Sequence, residues 1–535
     1  MRSQVFFYSG VDAGSYSKSN AADDSYGTGK LIPYGERGMK HALASAILAI
    51  VLPFTLACGS GQHFMETTTP PPPPSQVPLT KLSTDTFTNT SSQHATEVEP
   101  DTFAFGSTIV SAFQVGRIFS GGGADVGFAT STDGGAAWTS GLLPGITIFQ
   151  GGSFSAASDA AVAFDAAHGI WIICTLPLGT FNEAAVSRSS DGINWSGPVR
   201  VSTTPDADKT WIVCDNTSGS PFFGHCYVQW DDPSRGGLIW MRTSTDGGLT
   251  WGVERNTADF ARGIGGQPLV QPDGTVVVPI TNISGNSMLA FSSKDGGASW
   301  STTSVIANIA DHLVAGGLRT SALPSAEIDA VGKIYVVWQD CRFRSGCISN
   351  DLVLSTSIDG RTWTAPIRIP IDSATSTADH FIPGLAVDPS TSGDTAHLAL
   401  TYYFYPTANC SASSCALEVG FISSPDAGNS WTVPQTIAGP MSLGWLPNTF
   451  AGLMVGDYIS TSYSGGSARG VFAVAHSNSG SKFNEAIYTT TSALGEKNAA
   501  MSRSLREQPV PDARSDHPVR AFYDLEHRYP AEPPK

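Results

Sequence analysis

The sequence predicts an all-β fold, a β-propeller of four-stranded blades. Three observations predict it. An octapeptide recurs: Ser131-Thr132-Asp133-Gly134-Gly135-Ala136-Ala137-Trp138 returns almost letter for letter at 244–251, keeps its spacing at 293–300 and 424–431, and stands one residue shorter at 189–195 and 357–363. Its aspartates, Asp133, Asp191, Asp246, Asp295, Asp359 and Asp426, step by 58, 55, 49, 64 and 67 residues. That period is the length of one four-stranded sheet, and a radial array of such sheets closes on itself. Third, the chain carries 56 Gly and only 14% charged residues, and no long stretch has helical apolar spacing.

The motif has the chemistry of a turn. Ser and Asp oxygens accept from nearby backbone N–H groups, and Gly supplies the positive φ of a tight hairpin. The closing Trp folds back and buries its ring, its indole N–H seeking an acceptor. Six of the twelve Trp stand in these motifs. Repetition once per unit makes the Asp a hairpin lock, not a metal ligand or a catalytic group.

Strands are expected in order. The first unit, from residue 97 to about 148, has strands at 108–114 and 126–130. The next five have strands at 160–164, 169–174 and 184–187; 209–214, 225–230 and 238–243; 268–271, 275–280 and 287–291; 321–328, 333–338 and 352–356; and 383–387, 395–403 and 417–422. A seventh unit without the motif has strands at 454–462, 470–476 and 485–490. A strand near 79–87 completes it and removes the exposed edges. Seven blades are therefore expected, with six as the alternative.

The ends read differently. Residues 1–38 lack a core pattern. Met39-Lys40-His41 opens a basic start, followed by an apolar run to Ala57, too short to span a membrane. Hence 39–57 is expected to be a signal peptide, with Met39 the initiator and 1–38 outside the mature protein. Residues 58–93, with Pro70 to Pro74, read as a tether. The propeller is expected over 94–495, and 496–535 as a disordered charged tail. Cys58 after Ala57 resembles the lipid-modified Cys of bacterial lipoproteins. The implied place is the cell envelope, lipid-anchored or secreted.

Export puts the cysteines in an oxidising compartment, and three pairs lie close in sequence: Cys214 and Cys226, Cys341 and Cys347, Cys410 and Cys415. Zinc is the rival reading, but no third Cys or His stands at ligand spacing. Cys174 is left as a buried thiol. The net charge of −16 disfavours a nucleic-acid partner.

The six repeats resemble the Asp-box, or bacterial neuraminidase repeat, of the sialidase-like superfamily, over roughly residues 96–490. The resemblance implies a propeller whose innermost strands begin around one channel. Those starts place Glu97, Glu99, Asp159, Asp208, Lys209, Gln267, Arg319, Asp379, His380, Asp457 and Tyr458 around it. Sialidases hold the sugar carboxylate with three Arg and use a Tyr nucleophile, a Glu partner and an Asp acid/base. Ala112-Phe113-Gln114-Val115-Gly116-Arg117, with Asp125, resembles their first blade. Val98-Glu99-Pro100 replaces the expected Arg-Ile-Pro, and Ser120 to Gly123 stands where the acid/base Asp belongs.

The resemblance therefore implies an extracellular propeller handling carbohydrate, an exo-glycosidase of sialidase type if it is an enzyme. Arg117, Arg319, Asp159 and His380 would bind substrate, and Tyr458, Asp457, Glu99 and Asp208 would serve catalysis. One alternative is a non-catalytic surface module binding a glycan or a protein. The other is a hydrolase of neutral polysaccharide. No cofactor or metal is assigned, though Asp159, Asp208 and Asp457 could hold Ca²⁺ in the channel. The expected partner is a glycan or glycoprotein, the membrane is touched only through the anchor, and the protein is expected to be a monomer.

Overall fold

The computed structural model describes residues 77–203, 206–495 and 509–510. The expected initiator Met39, signal peptide and lipidated Cys58 lie outside them, with most of the expected tether and nearly all of the tail. Among the described residues there are 30 strands and only short 3-10 turns. None forms a helix long and apolar enough to cross a membrane.

The fold is an all-β propeller. Five sheets of three to five antiparallel strands stand apart. An eight-stranded sheet is joined at its middle by a single pair, Gly123 with Ala157. On its other side Gly123 lies against the strand Thr108–Arg117, where a Cβ would come within 2.6 Å of the Val115 carbonyl oxygen, so only Gly fits there. Strands are buried on both faces, as in Gly123–Ser131, where every residue is buried. This explains the continuous apolar runs: each sheet packs its two faces on its neighbours.

The repeated turns carry the expected hydrogen bonds. Ser131 Oγ donates to Asp133 Oδ1 at 2.7 Å and accepts from the Gly135 N–H at 2.7 Å. Asp133 Oδ1 also accepts from the Ala136 and Ala137 N–H groups, at 3.0 and 2.9 Å. Backbone donors hold the Asp133, Asp191 and Asp359 carboxyls below their usual range, led by the N–H of Ala137, Asn194 and Thr362 respectively. The indole N–H reaches a Gly carbonyl in Trp138, Trp195 and Trp431, at 3.1–3.2 Å. In Trp251, Trp300 and Trp363 it meets no protein acceptor. The aromatic ring, not its N–H, is the constant of the motif.

Some expected strands differ. The closing strand is Leu79–Lys81, pairing with Thr490, Thr489 and Tyr488. It stops well short of residue 87 because Asp85 bends the chain: its Oδ1 accepts the Phe87 N–H at 2.7 Å and its Oδ2 faces His94 at 3.1 Å. The strand expected from 454 begins only at Ser460. Gly456, at φ 139°, turns the preceding residues toward the centre. The sheet of Asp208–Cys214, Cys226–Asp232 and Leu238–Ser244 has three strands, with isolated bridges to Arg255 and Arg262 in place of a fourth.

Three disulfides form as expected: Cys214–Cys226, Cys341–Cys347 and Cys410–Cys415. Cys174 is a free, buried thiol, which burial pushes up to about 12.

Candidate functional site

Four innermost strands share one irregularity. Glu97–Phe105, Ala156–Asp165, Asp208–Cys214 and Asp379–Val387 each slip register near their start. In each, a non-glycine residue takes a left-handed φ: Glu99 at 55°, Asp159 at 46°, Lys209 at 42° and Ile382 at 49°. Such a backbone costs on the order of 1–3 kcal/mol per residue and persists where surrounding structure enforces it. The bulge re-aims one side chain per strand.

Three of these side chains meet at one place. Lys209 Nζ lies 2.5 Å from Asp457 Oδ2, 3.4 Å from Asp159 Oδ1 and 3.6 Å from Glu99 Oε1. Arg319 Nε donates to Asp457 Oδ1 at 2.7 Å, and its Nη2 pairs with Asp457 Oδ2. The Asp457 N–H donates to Glu99 Oε1 at 3.1 Å. Gln114 Nε2 donates to Glu99 and, at 2.8 Å, to Ser158 Oγ, which donates to Asp159 Oδ1 at 3.2 Å. The Tyr458 hydroxyl donates to the Ala160 carbonyl at 3.2 Å, and its ring meets Trp211 edge to face at 5.1 Å. A cavity of about 20 Å³ opens beside these groups, lined in part by Asp159, Lys209, Gln267, Ser321, Asp457 and Tyr458.

Burial and charge push the acids apart. Burial raises Glu99 to about 7, against the pull of Lys209. Burial would raise Asp457 as well, but Arg319 and then Lys209 hold it far below its usual range. Burial, with Glu99 and Asp159 nearby, pushes the Tyr458 phenol well above 10. An acid raised into the neutral range thus stands one hydrogen bond from one held ionised, while the phenol stays neutral.

The structure gathers Glu99, Asp159, Arg319, Asp457 and Tyr458. Asp208 adjoins them through the Lys209 N–H, which donates to its Oδ1 at 2.9 Å. Arg117 stands beside them: its Nη1 donates to the Gly122 carbonyl at 2.6 Å and its Nε meets Met454 Sδ at 3.1 Å. Glu97 turns away, accepting from Ser83 Oγ at 2.8 Å under the closing strand. His380 belongs to a separate cluster, stacked on Phe404 at 5.9 Å, with its Nε2 4.0 Å from Asp372. The lysine ammonium faces Asp159 and Asp457, two of the three acids considered for Ca²⁺ in the channel.

Sequence reasoning missed Gln114, Ser158 and Trp211 at the site. Gln114 alone carried a signal: it is a polar residue within the apolar stretch Ala112 to Val115 of its strand.

No family model matches the chain, and no curated protein matches it. Among solved structures, a Hadza microbial sialidase is 18% identical over 58% of this chain and 64% of that one, with a TM-score of 0.39. The matched region is therefore less than two thirds of that protein. A polysaccharide lyase described as an ulvan lyase is 11% identical over 80% of this chain and 98% of that one, with a TM-score of 0.46. Trypanosoma rangeli sialidase is 12% identical over 78% and 59%, with a TM-score of 0.42.

Proposed function

We propose that the protein is an exported, sialidase-like propeller that handles carbohydrate at its channel, and that its sugar is neutral. One observation carries the choice of sugar: Arg319 is committed to Asp457 through both its Nε and its Nη2. An arginine held by a buried carboxylate is a poor clamp for a second one. Two cationic groups already face three acids here, one of them raised to about 7. Such a site suits hydroxyl groups better than a sialic acid carboxylate.

The Glu99–Asp457 relationship supports hydrolysis as a second reading. A carboxyl raised to about 7 beside one held ionised is the division of labour of a glycosidase acid and its partner. In that reading Glu99 donates the proton, Asp457 or Asp159 supports the developing cation, and Arg117 and Lys209 hold the surrounding frame.

The wider assignment is part of the proposal. The six turns are Asp-boxes. The eight-stranded sheet counts as two blades joined at Gly123, which with the five separate sheets makes seven. Met39 starts the precursor, Cys58 carries lipid at the cell envelope, and the tail follows residue 495.

The test is a screen of the purified protein against neutral and sialylated glycans, for binding and for release from aryl glycosides. Retention of neutral glycans and none of sialosides is expected. Release from an aryl sialoside, abolished in Arg319→Lys, would overturn the reading.

A further inference from the structure

A second polar cluster lies away from the channel, where the loop of the Cys341–Cys347 disulfide meets the starts of two strands. Asp351 begins the strand Asp351–Ser357, and His380 is the second residue of Asp379–Val387 in the next sheet. Asp372 lies on the loop between them. Two buried arginines cross-link these acids. Arg344 Nη2 is 2.5 Å from Asp351 Oδ1 and 2.7 Å from Asp372 Oδ1. Arg368 Nε is 2.8 Å from Asp351 Oδ1, and its Nη2 pairs with Asp372 Oδ1.

All four contacts use Oδ1. The Oδ2 atoms of Asp351 and Asp372 are buried and meet no hydrogen-bond donor. An orphaned buried carboxylate oxygen is costly, and two in one place call for a ligand. The imidazole gives an independent pointer. His380 is 2% exposed. Its Nδ1 faces the Asn350 carbonyl at 3.3 Å. A carbonyl only accepts, so the proton sits on Nδ1 and Nε2 presents its lone pair. Nε2 is 4.0 Å from Asp372 Oδ2, too far for a hydrogen bond.

Three lone-pair donors, one nitrogen and two oxygens, lie within 4.8 Å of one another. The His380 ring is fixed by a carbonyl on Nδ1, and both acids are fixed by arginines on Oδ1. That is the outer-shell pattern of metal-binding His and carboxylate ligands.

We propose that Asp351, Asp372 and His380 form a binding site for a divalent first-row transition metal, with Zn²⁺ the best match. The mixed nitrogen and oxygen donor set suits Zn²⁺. Ca²⁺ takes six to eight oxygens, and this site offers too few. Because Arg344 and Arg368 offset both carboxylates, the ion exchanges readily and is stripped by chelator. Asp372 is 19% exposed and gives it a path in. Bound there, the ion ties the sheet of Asp351–Ser357 to that of Asp379–Val387.

The test treats the full protein with EDTA, removes the chelator, and titrates Co²⁺ while recording visible absorption. One equivalent should give ligand-field bands, which Zn²⁺ then displaces. His380→Gln and Asp372→Asn should each weaken Co²⁺ binding at least tenfold. His380→Gln leaves the arginine–aspartate contacts in place, so its metal-free melting temperature should stay near the parent's, whereas Asp372→Asn also loses charge against Arg344 and Arg368 and should melt lower. Absence of bands in the parent overturns the proposal, as does unchanged binding in both variants. Should His380→Gln fail to fold, Asp372→Asn at its partly exposed position decides alone.

Discussion

Arg319 and Asp457, 138 positions apart, meet through two charge-assisted contacts, Nε to Oδ1 at 2.7 Å and Nη2 to Oδ2. Both are buried, at 4% and 2% exposed. Removing Arg319 leaves the buried Asp457 carboxylate with Lys209 as its remaining cation. Arg319→Met should therefore cost about 3–5 kcal/mol. The double change Arg319→Met with Asp457→Leu should recover much of it. Denaturant unfolding of the three proteins checks this, and additive losses would show that the pair is not coupled.

Stability should fall as pH rises. Burial raises Glu97 from 4.5 to about 7 and Glu485 well above 4.5. Both are 1% exposed, and neither Glu485 oxygen has a hydrogen-bond donor. The native state therefore holds protons that the unfolded chain releases from about pH 4.5 upward. The unfolded state binds fewer protons over that window, so the slope is negative until the folded groups also ionise. The melting temperature should be higher at pH 5 than at pH 7.5, and Glu97→Gln should flatten the difference. A melting temperature that rises over this window would contradict the assignment.

Two left-handed glycines separate backbone strain from collision. Gly297 has φ +85°, and a Cβ there would lie 2.1 Å from Thr243 Oγ1. Gly106 has φ +62° with nothing within 4 Å. Gly106→Ala should cost about 1 kcal/mol from backbone strain alone. Gly297→Ala should cost clearly more, and chemical denaturation of both variants measures the gap.

Cys174 should resist thiol reagents in the folded protein. Its thiol is fully buried and burial pushes it up to about 12, so thiolate is scarce. Labelling of Cys174 at pH 8, read by peptide mass, should appear only after denaturation.

The sequence made the architecture readable because one turn recurs with its own chemistry. Ser, Asp, Gly and Trp at fixed spacing left little freedom, and the strands between them ran apolar. The positions of the ring were readable too, since strand starts converge in any propeller. Their pairing was not. Lys209 takes φ 42°, a conformation that nothing in its residue type announces. Arg319 looked like a substrate clamp because its partner stands 138 residues away. His380 and Glu97 begin inner strands as the others do. Side-chain direction, which no strand pattern encodes past a bulge, sends them elsewhere.

The ring is shut by three ladder pairs, Leu79 with Thr490, Thr80 with Thr489 and Lys81 with Tyr488. Among the described residues, a pull entering at Val77 meets first the bond from the Thr491 N–H to the Pro78 carbonyl, at 2.8 Å, and then these pairs. The last sheet is thus the mechanical fuse of the molecule, loaded before the other sheets. Behind it stand Leu82, whose N–H donates to the Ile487 carbonyl at 2.8 Å, and Ser83, whose hydroxyl accepts the Ile487 N–H at 2.8 Å. Tension would have to strip these in turn before the buried Glu97 met water.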